Sequence, residues 1–151
     1  MFEYLMEAFQ PTLEAPYGYY LDIPIGKIPR SKMPQLKPEL SGQFLALYGV
    51  EQPFPRVNAD KYKPSQGEIQ EEKINKFTED PELWKKVRDI PIYVSLDDFI
   101  IDGHHRALAA ARLNDTVPIA LLPMNANAAL ATMNLYHRLM VAEGKMEPGL
   151  N

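Results

Sequence analysis

The sequence predicts an α+β fold, a small mixed sheet flanked by helices and joined to a proline-rich, irregular N-terminal half. Three observations lead there. Most of the fourteen prolines lie between Pro11 and Pro64, where they break regular structure, and only Pro118 and Pro123 fall within residues 100–147. From Glu68 onward, apolar periodicities of helical and strand type follow one another as helix, helix, strand, strand, helix, strand, helix. And 151 residues at 46% hydrophobic content suit one domain of ordinary size.

Element by element, "FEYLMEAF" (residues 2–9) spaces its apolar groups as a short helix. "YGYYLDIPIGKIPRSKMPQL" mixes aromatics, isoleucines and prolines as extended chain. "KPELSGQFLALYGV" reads as a short helix ending near Gly49, a glycine suited to the left-handed C-terminal position. "EQPFPRVNADKYKPSQ" is loop with a short strand at Val57. Ile69, Lys73, Ile74 and Phe77 predict an amphipathic helix over 67–78. Asp80 followed by Pro81 marks the start of the next helix, with Leu83, Trp84 and Val87 on its apolar face. "IPIYVS" and "FIID" are strands joined by the "LDD" turn, in which Asp97 and Asp98 read as turn residues. A helix follows from about Gly103 to Leu113, then a strand, "VPIALLPM", and a long helix opened by Asn125 or Asn127. The organisation expected is an N-terminal extension (1–55) packed on a core (56–124), with a C-terminal helix and tail (125–151) in the same domain.

Composition narrows function. The net charge of -4 gives no general attraction to nucleic acid, so sequence-specific DNA binding is not expected. "KIPRSK" and "WKKVR" are local basic segments that read first as solvated faces and second as phosphate contacts. With no cysteine, disulfides, thiolate metal sites and cysteine nucleophiles are excluded. No apolar run spans a membrane and the N-terminus carries acids in place of a basic leader, so the expected location is cytoplasmic.

The chemistry concentrates in "IIDGHHRALAAARLND", residues 100–115. A strand ending in Asp-Gly and opening directly into a helix presents free backbone N–H groups and the positive end of the helix dipole, a cradle for phosphate. Gly103 lets backbone approach closely, Arg106 offers a planar fork, and His104 and His105 can donate to phosphate oxygens. The alternative is that Asp102 caps the helix and the histidines face solvent. Zinc is disfavoured because adjacent helical residues point about 100° apart.

The segment "IPIYVSLDDFIIDGHHRALAAARLNDTVPIALLP" resembles the core of the ParB/sulfiredoxin superfamily in the order of its parts. That order is strand, hairpin, strand, Gly-x-x-Arg junction, alanine-rich helix and Val-Pro strand. Asp-Gly-His-His-Arg is most similar to the free-serine kinases, whose turn is Asp-Gly-His, then His or Thr, then Arg. Partition proteins carry Gly-Glu-Arg-Arg there and sulfiredoxins Gly-Cys-His-Arg. With "VNADKYKPSQGEIQEEKINKF" the resemblance covers residues 57–123. It implies a small mixed sheet with helices, and a turn that binds ATP or another nucleotide. By this likeness Gly103, His104, His105 and Arg106 hold the phosphates with Ser65 and Gln66 beside them. Asp102 would place Mg²⁺, and Glu68, Asp102 and His104 would serve catalysis.

The departures matter equally. His104 stands where sulfiredoxins need cysteine, which excludes sulfinic-acid repair. No helix-turn-helix reader follows, which argues against chromosome partition. Ser65 and Gln66 replace the kinases' His-Glu pair, and a glutamine cannot abstract a proton, so Glu68 becomes the candidate base. Its other reading is a first-turn acid favoured by the helix dipole. The expected function is therefore Mg-dependent phosphoryl transfer or nucleotide hydrolysis on an unnamed small-molecule or protein acceptor. The alternatives are a ParB-like nuclease acting on phosphodiesters and a non-catalytic phage-type binding or structural module, placed in host cytoplasm or virion. Homo-oligomerisation stays open.

Overall fold

The structure, a computed structural model, describes residues 19–145. The helix expected at 2–9 lies outside the described residues, as does the tail beyond 145. Strands β1 (Tyr19–Tyr20) and β2 (Ile23–Pro24) form a small hairpin whose turn puts Leu21 and Asp22 at φ 50° and 62°. Helix α1 (Pro38–Leu47) follows a 3-10 turn at Arg30–Lys32. It ends where expected, with Gly49 at φ 72° and the Val50 N–H closing back on the Leu45 carbonyl.

Five strands make the main sheet, in the order β3-β7-β5-β6-β4: Arg56–Val57, Val117–Leu121, Ile92–Val94, Phe99–Asp102 and Lys63–Pro64. The sheet is mixed. β5 runs parallel to β7 and antiparallel to β6, β4 is parallel to β6, and β3 is antiparallel to β7. The α+β class expected from the order of elements is what the chain adopts.

Both faces of the sheet are covered, and the alternation of side chains along each strand assigns them. Tyr93, Ile101, Ala120 and Leu122 face one core with Ile28, Phe44, Leu130 and Met133 from the N-terminal segment, α1 and helix α5 (Ala126–Ala142). Ile92, Val94, Ile100, Val117 and Ile119 face the other, against helices α2 (Glu71–Glu79), α3 (Pro81–Val87) and α4 (His104–Arg112). Residues 20–50 thus complete a core that the sheet alone leaves bare.

Local chemistry sets the boundaries. Asp80 accepts from the N–H groups of Glu82 and Leu83, with Pro81 in the first turn. Asp97, read from sequence as a turn residue, also accepts from the Ala126 N–H at 2.8 Å and so caps α5 from another element. The helix expected from 67 starts only at Glu71. The four residues before it stay extended because their backbone is engaged elsewhere. The Gly67 N–H donates to the Ile28 carbonyl, and those of Gln66 and Gln70 donate to histidine rings. Among the described residues, no helix is long and apolar enough to cross a membrane.

Candidate functional site

β6 delivers Asp102 to the sheet edge, Gly103 turns the chain, and α4 begins at His104. Gly103 sits at φ 101°, where a side chain is strained. A Cβ there would also lie 3.0 Å from both the Arg106 Nη2 and the Ile92 Cγ1. Only glycine lets the guanidinium fold beneath the junction.

The two histidines turn inward. His104 is 4% exposed and His105 7%. His104 Nε2 accepts from the backbone N–H groups of Ser65 (3.2 Å) and Gln66 (3.3 Å), and His105 Nε2 accepts from that of Gln70 (3.0 Å). Each ring therefore carries its proton on Nδ1. Burial pushes His104 down to about 3, helped by His105 beside it, and pushes His105 down to about 4, helped by Lys73 and Arg30. Both rings are neutral at physiological pH. They fasten the 65–70 segment to the head of α4, and the edge expected to donate to phosphate instead accepts from the protein.

Ser65 is fully buried and donates its hydroxyl to the Ile100 carbonyl at 2.6 Å, so it belongs to the fastening. Gln66 lines the cavity described next, and its side-chain amide donates to the Glu68 carbonyl. Glu68 itself is exposed, and its side chain does not line that cavity.

A cavity of about 280 Å³ opens at the junction. Asp102, Gly103, His104, His105 and Arg106 line one side, Lys73 and Phe77 of α2 a second, and residues 30 and 33–36 a third. Two cations join Arg106 that the turn motif does not contain. Arg30 is brought in by the N-terminal segment, which lies alongside residues 65–67 through Gly26 N–H to the Ser65 carbonyl and Gly67 N–H to the Ile28 carbonyl, both 2.8 Å. Gly67 is needed for that approach, since a Cβ would come within 2.9 Å of the Lys27 backbone. Lys73 projects from the inner stripe of α2, four residues before Phe77. A cation among apolar positions was the one sequence signal that could have marked it.

The electrostatics are lopsided. Burial lowers the Lys73 ammonium from its ordinary value, Arg30 and Arg106 press the same way, and Asp102 opposes them. Burial raises Asp102, against the pull of Arg106, the Gly103 N–H and Lys73. Arg106 is half-committed to structure, donating to the Ile90 and Pro91 carbonyls at 2.6 and 3.2 Å. Three cations and one carboxylate thus share a small cavity at a helix N-terminus, an arrangement complementary to an anion.

Compared with family models, with curated proteins and with solved structures, the chain finds no match in any of the three.

Proposed function

We propose that this cavity binds the phosphates of a nucleoside di- or triphosphate, in a domain of the ParB/sulfiredoxin type whose chemistry is phosphoryl transfer or nucleotide hydrolysis. The observation that carries the reading is the convergence of Arg30, Lys73 and Arg106 on one hollow at the start of α4, with Asp102 as the single carboxylate. Arg30 and Lys73 come from separate elements, so the charge is assembled by the fold. A phosphate would take N–H groups from the first turn of α4 and charge-assisted hydrogen bonds from Arg30 and Lys73. It would also relieve the mutual repulsion of the three cations.

Magnesium, the ion implied by the resemblance, would find one carboxylate there, Asp102. Among the described residues no group of three metal-ligating side chains occurs. Asp102 plus phosphate oxygens and water is a donor set that Mg²⁺ accepts. Side-chain cations nevertheless supply most of the positive charge. A binding module without chemistry, of the phage type, is the second reading, and the exposed position of Glu68 outside the cavity favours it.

Thermal unfolding with ATP, CTP and GTP, with and without Mg²⁺, tests the proposal. At a hundredfold excess over its dissociation constant the right nucleotide adds about 2.7 kcal/mol, since the unfolded chain has no cavity. For a chain of this length that is a Tm rise of roughly 5–10 °C. Lys73→Ala and Arg30→Ala should each remove most of the rise. Arg106→Ala is a poorer probe because it frees two carbonyls. No rise with any nucleotide at millimolar concentration would sink the reading, and phosphate release by the wild type separates the enzyme from the module.

A further inference from the structure

Three hollows adjoin one another at the start of α4, in a line. The cavity of about 280 Å³ shares Arg30, Lys73 and Phe77 with a wider hollow of about 650 Å³. It shares Leu36, Ile90, Asp102 and Arg106 with a narrow chamber of about 40 Å³. The wider hollow and the chamber have no lining residue in common, so the cavity lies between them. Tyr93 of β5 and Ser41 of α1 complete the chamber. Tyr93 is 2% exposed, and among the described residues its hydroxyl makes no hydrogen bond. The phenol oxygen lies within electrostatic reach of Asp102 and Arg106 and beside Ser41. The Ser41 hydroxyl is spent on the Pro38 carbonyl, to which it donates at 2.8 Å. Arg106 makes both of its carbonyl contacts through Nη1, which leaves Nε and Nη2 uncommitted to them. A buried hydroxyl without a partner carries a desolvation cost that a ligand atom can offset. A phenol keeps its proton at neutral pH, so the atom that satisfies it is an acceptor.

We infer that Tyr93 binds the terminal phosphoryl group of a nucleoside triphosphate, its hydroxyl donating to an oxygen that Arg106 also holds. Arg30 and Lys73 then hold the inner phosphates, and the nucleoside lies in the wider hollow. This rests on the phosphate reading of the cavity and adds the length and the direction of the ligand. Size sets the direction. The chamber takes a small polar group and no ring, whereas the wider hollow offers Phe77 and Leu83 to the faces of a base. Donors at both ends of the cavity suit a chain of phosphates better than a single one. At the chamber end Arg106 offsets the charge of Asp102, and a hydroxyl bonded to a phosphoryl oxygen is charge-assisted. Tyr93 lies outside the Asp-Gly-His-His-Arg turn, on the strand paired with β6, so only the sheet brings it to the site.

Calorimetric titration of the full chain, wild type against Tyr93→Phe, tests this. The ligands are adenosine mono-, di- and triphosphate, with inorganic tripolyphosphate as a probe that needs no particular base. Wild-type affinity should rise with each added phosphate. Tyr93→Phe should bind the triphosphate and tripolyphosphate roughly tenfold to a hundredfold more weakly, the loss expected for one hydrogen bond to a charged group. Its affinity for the monophosphate should be nearly unchanged. Without ligand its Tm should be no lower than that of the wild type, because the substitution removes a buried hydroxyl that has no partner. Equal affinity of the two proteins for tripolyphosphate overturns the role of Tyr93 and leaves the phosphate reading standing. Equal weakening of mono- and triphosphate overturns the direction of the ligand. A Tm loss of several degrees without ligand shows a structural hydroxyl and overturns the inference. Failure of the wild type to bind tripolyphosphate or any nucleotide brings down the inference and the phosphate reading together.

Discussion

Two clusters of charge lie at the same end of the sheet's strands, and they are built on opposite principles. At the β3–β7 edge, Arg56 and Arg88 meet Asp89 and Asp115 in equal numbers. Arg88 binds Asp115 through its Nε and Nη2 at 3.0 Å each, and Arg56 binds Asp89 at 2.7 Å. The Trp84 indole N–H and the Thr116 backbone N–H complete Asp115, whose carboxyl is held far below the usual range, chiefly by Arg88. At the strand–helix junction, Arg30, Lys73 and Arg106 share only Asp102. Balanced charge is self-contained and serves the fold. Unbalanced charge held partly out of water carries a cost that a ligand of opposite sign can offset, and for that reason the junction is the better candidate for a binding site.

Acid should separate the two clusters most sharply. His104 and His105 titrate at about 3 and about 4 in the fold against 6.5 when free. Both folded values are depressed, so the neutral rings contribute stability that is full above pH 6.5 and is lost as pH falls through the folded values. The slope can reach about 1.4 kcal/mol per pH unit for each histidine. Asp102 works against them, since its raised value restores some stability as it protonates toward 3.8. Asp115 contributes stability above its unfolded value of 3.8 that is lost only below it, so the edge network should be silent until the histidines have acted. Urea midpoints at a series of pH values check this. Stability unchanged between about pH 6.5 and about pH 4.5 would mean that the histidines are not the fastening described.

Next in size is the paired cluster itself. Asp115→Ala leaves the buried Trp84 N–H and the Arg88 guanidinium without their acceptor, and should cost about 2 kcal/mol in urea unfolding. A loss below about 0.5 kcal/mol would place the network among surface ion pairs of little consequence and blur the contrast.

The smallest effect should be the most telling. Lys73→Ala removes a cation that has no ion-pair partner among the described residues and relieves its repulsion with Arg30 and Arg106. Stability without ligand should change by no more than about 0.5 kcal/mol, toward greater stability. A large loss would show that Lys73 is structural, and the unbalanced cluster would no longer look like a site held ready for an anion.

Much of this molecule was determined by the sequence alone, wherever one short stretch decides its own conformation. Asp80-Pro81 starts a helix, Gly49 ends one, and Gly103 permits the sharp entry into α4, each through the local geometry of its own residues. Continuous apolar runs in "IPIYVS" and "FIID" dictate strands buried on both faces. Three residues of the motif, Asp102, Gly103 and Arg106, meet at one cavity. Tertiary structure decided what each side chain does there. Whether His104 faces a ligand or the backbone of residues 65 and 66 depends on a segment 38 positions away, and the same segment holds Ser65 and starts α2 late. Arg30 and Lys73 reach the cavity from two separate elements, and Asp97 caps a helix 29 positions on. Local propensity acts over a few residues. Charge and hydrogen bonding act through space, between groups that only the folded chain brings together.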